Sequence, residues 1–430
     1  MRATLLLRLY ATAARFAMPF VMREEIKKLR AHGTLPIRWQ EKAGHASAPR
    51  PKGSLIWFHA ASVGEVLSVL GLIELLGKTL PQTHFLLTSG TPTSADIGAS
   101  RLPARCQHQF APLDAPKPVA RFLNHWTPDA LVFVESEVWP NMILAAKAAG
   151  VPTALINARM SDKSLAAWEK RPKSAEAVLA SFQLIETQGD RLADALCALG
   201  AHPATTRQGP NLKAHAAPLP QDKVLQKKLR TALGSRPVWI AASTHPGEEE
   251  TVLAAHKSLL ARQPDLCLIL APRHPERGPG IAGMIRDHGW AVHKRSAGEV
   301  PEGPVYLADT LGELGSLYPL AKFVFLGGSF SAMGGHNPFE VVQFGVPVLS
   351  GPNIGNFSDV YGQLVGTGVA RIVPAPDRLA EYAEHWLTDS AALEIARANT
   401  TGLSTAQDGA LDALADRMIC ALDLERLRAT

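Results

Sequence analysis

Across 430 residues there are only four cysteines, Cys106, Cys197, Cys267 and Cys420, and no two lie close enough to form a zinc or redox motif. So sparse a set argues against a disulfide framework and for a reducing compartment, and it leaves no structural zinc site. Aromatic residues make up 6% and charged residues 19% of the chain, a composition that excludes a coiled coil or a fibre. There is no Walker-type lysine loop and no Asp-x-Asp pair placed to hold a metal diphosphate. Nor is there a Gly-x-Gly-x-x-Gly followed by an acid at dinucleotide spacing. Short-period repeats and low-complexity tracts are absent as well. What is present is 46% hydrophobic residues with 34 glycines and 32 prolines spread along the length, enough apolar surface for full cores in two to four domains of a loop-punctuated α/β protein.

The net charge of +5 is concentrated at the front. Residues 1–30 hold Arg2, Arg8, Arg15, Arg23, Lys27, Lys28 and Arg30 against Glu24 and Glu25; removing these from the chain's 44 basic and 39 acidic residues leaves 37 of each. A neutral body gives no nucleic-acid-binding surface. Leu6, Leu9, Ala13, Phe16 and Phe20 recur at helical spacing, with Thr4, Arg8, Thr12 and Arg15 on another side. That pattern predicts a helix lying in the headgroup plane of an anionic membrane. Arg8 and Arg15 interrupt the apolar run before it reaches the roughly 18–20 residues of a spanning helix, and Pro19 is expected to kink or end the helix. A signal peptide, disfavoured by Arg8, and an organellar transit peptide are the competing readings.

Beyond a basic, proline-containing connector at His45–Gly53, short apolar runs alternate with amphipathic stretches, the pattern of βαβ units. Strands are predicted at Ser54–Phe58, His84–Thr88, Ala130–Val134, Thr153–Ile156 and Gln183–Glu186. The alternation pauses at Lys213–Asp222, which is rich in alanine and proline, and resumes at Pro237–Ala242, Leu266–Leu270, Val305–Leu307, Lys322–Leu326 and Val346–Leu349. The expectation is therefore a membrane-associating segment (1–30) and two Rossmann-like domains (51–212 and 223–425). In such sheets ligands bind outside the carboxyl ends of the strands.

Those ends carry the chemistry. The first strand runs into His59-Ala-Ala-Ser-Val-Gly-Glu65, where Ser62 is a plausible cap and Glu65 sits in the first helical turn. The helix dipole is expected to keep Glu65 ionised and able to accept a proton, although an acid there also simply stabilises its helix. The third predicted strand runs into Val134-Glu-Ser-Glu-Val-Trp-Pro-Asn141. Glu135 and Glu137 would face the same way if the strand continued, and burying either requires a partner. Arg159 and Lys213 are the candidates. In the second half, Leu270-Ala-Pro-Arg-His-Pro-Glu-Arg277 presents a cationic set, with Arg273 favoured as an anion contact. Phe325-Leu-Gly-Gly-Ser-Phe330 and Met333-Gly-Gly-His-Asn-Pro-Phe-Glu340 place two Gly-Gly pairs ahead of a helix predicted to be capped by Asn337, with Pro338 at its first position, so that backbone N–H groups there can approach a phosphate closely. Asn337 and Glu340 also have capping-box spacing.

The stretches HAASVGE, TSGTPTSA, VESEVWPN, INARMS, ASTHPGEE, APRHPER and HNPFE occur in one order over nearly the whole chain. In that order and spacing the chain resembles the 3-deoxy-D-manno-octulosonate (Kdo) transferases of lipopolysaccharide biosynthesis. The resemblance implies a GT-B fold, two Rossmann-like domains facing a cleft. It also implies transfer of Kdo from CMP-Kdo to a lipid A precursor at the cytoplasmic face of the inner membrane, without metal or cofactor. Glu65 matches the family's proton acceptor, and Glu135 and Lys213 match positions assigned to transition-state stabilisation. Pro272 and Arg273, Gly312, Glu313 and Leu314, and Asn337, Pro338, Phe339 and Glu340 match the CMP-binding stretches. The segment Gly209-Pro-Asn-Leu-Lys213 departs from the family's pattern at Pro210, where glycine is expected. A non-catalytic, membrane-associated sugar-nucleotide-binding protein and a sugar-nucleotide epimerase of the same fold are the alternatives.

Overall fold

The computed structural model describes residues 4–215 and 218–428, which form two compact α/β units. The first unit contains a wholly parallel sheet of β1 (Leu55–His59), β2 (His84–Ser89), β3 (Cys106–Phe110), β4 (Ala130–Val134), β5 (Thr153–Ala158), β6 (Leu184–Thr187) and β7 (Thr206–Gln208), in the order β3-β2-β1-β4-β5-β6-β7. The second contains β8 (Val238–Thr244), β9 (Cys267–Pro272), β10 (His293–Lys294), β11 (Val305–Leu307), β12 (Val324–Leu326), β13 (Val348–Ser350) and β14 (Ala370–Ile372), in the order β10-β11-β9-β8-β12-β13-β14. Both are doubly wound sheets of the GT-B class, as expected. The two halves of each sheet meet at one place, β1 beside β4 and β8 beside β12, and these switch points open the crevices in which such sheets hold ligands.

Strands buried on both faces explain the apolar runs. In β1, Ile56 and Phe58 face one core with Val66, Val69 and Ile73, while Leu55 and Trp57 face the other with Phe122 and Trp126. The first of these cores is completed from far away. Leu414, Met418, Ile419, Leu422 and Leu427 pack into it, and Arg417 forms a paired hydrogen bond with the buried Glu186 carboxylate, Nη2 to Oε2 being 2.9 Å. Of the described residues, 407–428 thus belong to the first unit, and the second comprises 218–406. This corrects the expected 223–425 boundary. The long helix Ser390–Ala421 leaves the second unit and buries its far end on the first sheet, a destination that helical periodicity alone cannot reveal.

The N-terminal helix runs from Leu5 to Ala31, through Pro19, so of the two effects expected of that proline, a kink or an end, the end does not occur. Both halves are held to the first unit, which offsets the hydrogen bond that proline removes. Thr4 Oγ1 lies 2.8 Å from Ser174 Oγ, the Tyr10 hydroxyl donates to Asp114 at 2.9 Å, and Leu7 and Leu29 are buried at opposite ends. Leu6, Leu9, Phe16 and Phe20 face outward, as their spacing implied; the inward stripe through Leu7, Ala14 and Met18 was not anticipated. By length and composition the helix is long and apolar enough to cross a membrane, contrary to the expectation from Arg8 and Arg15. Arg2 lies outside the described residues.

Met418→Ala should cost about 2–5 kcal/mol, the usual range for emptying a filled core position. Hydrogen exchange should accelerate in β1 and β2 and stay unchanged in β8 and β9; the reverse pattern would place the last helix in the other unit.

Candidate active site

At the first switch point, three carboxylates gather within the carboxyl edge of β1 and β4. Ser62 caps the helix Val63–Thr79: its Oγ accepts the Glu65 N–H at 3.3 Å and donates to Glu65 Oε1 at 2.9 Å, while the Ala61 N–H donates to Oε2 at 2.8 Å. Glu65 therefore completes a capping arrangement and also lies at the mouth of the crevice. It is 8% exposed, and burial, then the charges of Glu137 and Glu135, push its carboxyl up from 4.5 to about 7, against the lowering effect of its hydrogen bonds. The sequence-based expectation of a carboxylate kept ionised by the helix dipole is thus corrected. Desolvation and like charge outweigh the helix start, and Glu65 is divided between its two protonation states near neutrality.

Its two neighbours are compensated differently. β4 ends at Val134, and Glu135 turns out of the strand with φ +59°, beside Asn157 at φ +52° in the next strand end. The Asn157 amide donates to Glu135 Oε1 at 3.2 Å, and Lys213 Nζ lies 2.9 Å from the same oxygen. Two left-handed non-glycine residues cost about 1–3 kcal/mol each and persist where surrounding bonds hold them. Lys213 is delivered by the turn Leu212–His215, whose preceding Asn211 side chain accepts the Lys213 N–H at 3.1 Å. Pro210 does not displace it. Of the two proposed partners, Lys213 meets Glu135 by its side chain, and the Arg159 N–H donates to the Glu135 carbonyl at 3.4 Å.

Glu137 goes elsewhere, because the strand does not continue. It accepts from the Trp139 indole and lies 3.1 Å from His59 Nε2, while His59 Nδ1 is 3.0 Å from Thr88 Oγ1. Burial raises the Glu137 carboxyl, but the hydrogen bonds and the imidazole hold it below the usual carboxylate range. His59 was not singled out from the sequence. It stood at the head of a quoted stretch, but its link to a residue 78 positions on left no local signal.

At the second switch point, several expected donors are already in use. The N–H groups of Gly328, Ser329 and Phe330, expected to face a phosphate, donate instead to Glu248 at 2.7–3.0 Å, together with His245 N–H at 2.9 Å. A Cβ at position 327 would lie 2.7 Å from Ser243 O and Thr244 Cα and 2.8 Å from the same carboxylate, so glycine there admits both the end of β8 and the internal anion. Arg277 is committed to Glu249 through bonds of 2.7 and 2.9 Å. Arg273 is exposed; it follows Pro272 at the end of β9, and its charge reaches His245, His336 and Tyr318. His245 and His336 stack with Nε2 atoms 3.0 Å apart, which requires one donor and one acceptor. Burial, with Arg273 and His245 adding, lowers His336 to about 4, keeping it neutral. Neither histidine was anticipated as part of the site.

Asn337 lies one residue further out than its expected cap position. The short helix is Phe339–Val342 with Pro338 at the cap, and Asn337 Oδ1 accepts the Phe339 N–H at 3.2 Å. Glu340 and Arg273 both act electrostatically on buried Tyr318, which brings those two expected contacts into one neighbourhood. Gly312 and Leu314 flank Glu313, whose carboxylate is held by Arg295 at 2.8 and 2.9 Å and by Thr310. Among the described residues no group of three or more His, Cys, Asp or Glu side chains is arranged to hold a metal ion.

Residues 37–216 match the family model described as 3-deoxy-D-manno-octulosonic-acid transferase (kdotransferase). The chain is 38% identical over 332 residues to a probable mitochondrial 3-deoxy-D-manno-octulosonic acid transferase of Arabidopsis thaliana, covering 75% of this chain and 74% of that one. It is 34% identical over 381 residues to the 3-deoxy-D-manno-octulosonic acid transferase of Haemophilus influenzae, covering 87% and 88%. A UDP-GlcNAc 2-epimerase from Neisseria meningitidis superposes with a TM-score of 0.59 at 13% identity, over 86% of this chain and all of that one, a likeness of fold alone. Extended identity to these transferases, over a chain that places Glu65, Glu135 and Lys213 at one strand edge, makes this protein a member of the 3-deoxy-D-manno-octulosonic acid transferase family of glycosyltransferases.

Proposed function

We propose that the protein transfers Kdo from CMP-Kdo to a lipid A precursor, lipid IVA, in lipopolysaccharide core synthesis at the cytoplasmic face of the inner membrane, with Glu65 as general base. The observation that carries this reading is the placement of Glu65, 8% exposed and beside Glu135 and Glu137 at the first switch point, where burial and like charge raise its carboxyl to about 7. A base poised near the operating pH takes a proton from an acceptor hydroxyl without being too weak to hold it. Lys213 and Glu135 sit alongside as an ion pair suited to stabilising charge that develops in the transition state. On the donor side the leaving group is one phosphate of CMP, which Arg273 and the segment Asn337–Glu340 are assigned to bind, with Pro272 and Gly312–Leu314 shaping the nucleotide site. A single phosphate met by a guanidinium requires no metal bridge, so the reaction is read as metal-independent and free of any cofactor.

The N-terminal helix is assigned to the membrane surface. Its outward Phe16 and Phe20 are 73% and 77% exposed, with Arg8, Arg15, Arg23 and Lys27 also exposed, the combination that holds a helix at an anionic interface. Its opposite face is tied to the first unit through Tyr10 and Leu7. A peripheral or monotopic placement uses both faces at once.

CMP release from CMP-Kdo, measured with and without lipid IVA, tests the assignment directly; release that is independent of the acceptor would remove it. Glu65→Gln should lower turnover by roughly 10² to 10⁴ while CMP-Kdo binding persists. An equal loss confined to Glu135→Gln would move the base to the second carboxylate.

The same substitution reports the ionisation state. A raised folded-state pKa gives stability that is complete below the unfolded value near 4.5 and is lost as pH rises through about 7. Glu65→Gln should therefore be more stable than the parent at pH 8, by about 3 kcal/mol at most, and no more stable at pH 4. Thermal melts at the two pH values decide this. On the donor side, Arg273→Ala should weaken CMP affinity roughly tenfold or more, whereas chelator should leave the rate intact; unchanged CMP affinity would place the phosphate elsewhere.

A further inference from the structure

Between the inward face of the N-terminal helix and the carboxyl edge of the first sheet lies a cavity of about 400 Å³, within the roughly 300–1,000 Å³ of ligand pockets. Ala14, Ala17 and Met18 of the helix form one wall; Pro112, Leu113 and Met142 form the other. Small side chains at positions 14 and 17 keep it open, since a larger residue at either would extend into the space.

The polar groups on its lining already have partners. Lys42 Nζ is 3.1 Å from Glu25 and donates to Gly90 O at 2.6 Å. Asp114 accepts from Tyr10 and from the Met142 N–H at 2.9 and 2.8 Å. Glu137 is held by His59 and Trp139. A polar occupant would have to compete with these bonds, whereas an apolar chain needs only the uncommitted carbon surface.

Two further observations select the occupant. His59, Ala61 and Glu137 form part of the lining, and the Ala61 N–H is bonded to the Glu65 carboxylate, so a chain whose head reaches that part of the cavity lies beside the proposed base. The helix that lines it turns Leu6, Leu9, Phe16 and Phe20 outward, so the cavity lies behind the surface assigned to the membrane. At roughly the 30 Å³ that a water-sized group occupies in a liquid, the space holds on the order of a dozen methylene groups.

We infer that this cavity binds one acyl chain of the acceptor lipid, drawing it out of the bilayer beneath the N-terminal helix so that the attached sugar hydroxyl is held at Glu65. The inference rests on the acceptor reading above and adds a subsite to it. It makes acyl length a determinant of acceptor choice, and it gives the helix a second task beyond surface binding.

The test uses the full chain with lipid IVA carrying a diazirine at the end of one acyl chain. In parallel, vesicles of phosphatidylglycerol with the same label are tested. After irradiation, peptide mapping should find the lipid IVA adduct around Met18 and around Leu113 or Met142, with the phospholipid label on Phe16 and Phe20. Lining adducts from phospholipid alone, or lipid IVA adducts confined to Phe16 and Phe20, would overturn the inference. Ala14→Phe, which fills the space, should reduce lining adducts and raise KM for lipid IVA about tenfold relative to a deacylated acceptor. If that variant does not fold, the parent's labelling pattern still decides. Acceptor-dependent CMP release with no lining adduct would keep the transferase reading and reject the cavity; lining adducts with no CMP release would do the opposite.

Discussion

Three carboxylates buried along one strand edge must each be reconciled with a low-dielectric surrounding, and the first unit depends on how unequally this is done. Glu135 receives a full positive charge from Lys213, Glu137 receives an imidazole and an indole, and Glu65 receives only a hydroxyl and a backbone N–H. Burying a carboxylate costs several kcal/mol unless it is paired, so the uncompensated member of the set is the one whose proton is held. The two compensated acids repel its charge and raise it further. One geometric fact, the abrupt end of β4 at Val134 with Glu135 in the left-handed region, sends Glu135 and Glu137 to different partners and leaves Glu65 between their fields.

The second unit handles buried charge in the opposite way. Glu248 is met by four backbone N–H groups, which fixes the glycine loop after β12 before any ligand arrives. An internal carboxylate thereby occupies the kind of nest that elsewhere holds a phosphate. What remains outward is Arg273, with a pair of neutral histidines beside it. The loop is rigid scaffold, and the side chains around it are the surface available to an anion.

The doubly wound class and the interior strands were legible because central parallel strands are buried on both faces and read as apolar runs. The four strands that sequence reading did not identify, Cys106–Phe110, Thr206–Gln208, His293–Lys294 and Ala370–Ile372, are the four sheet edges. Half-solvated and short, they carry Gln, His, Arg and Lys in place of an apolar pattern. Site residues followed a similar division. Glu65, Glu135 and Arg273 stand next to strand ends in the chain and could be found there. The His59–Glu137 bond, the His245–His336 pair and the capture of the glycine loop by Glu248 join residues 78 to 91 positions apart, and a linear pattern records the donors without recording who claims them.

The return of the last helix to the first sheet has a consequence for the order in which the chain can fold. All strands of the second unit lie between Val238 and Ile372 and its core is completed by Trp386, Leu393 and Ala396, so it can close once residues up to about 406 have left the ribosome. The first unit, although synthesised earlier, lacks Met418, Ile419, Leu422 and Leu427 from its core until those residues have been made. Domains of nascent chains generally fold amino-terminal first; here the earlier half waits with one apolar face of its sheet only partly covered by the helix Val63–Thr79, and the later half is complete before it. The interval in which that face is open is set by the time needed to make some two hundred further residues, about 10–40 s at 5–20 residues per second, and it coincides with the presence of an apolar amino-terminal helix that is already free to meet a membrane.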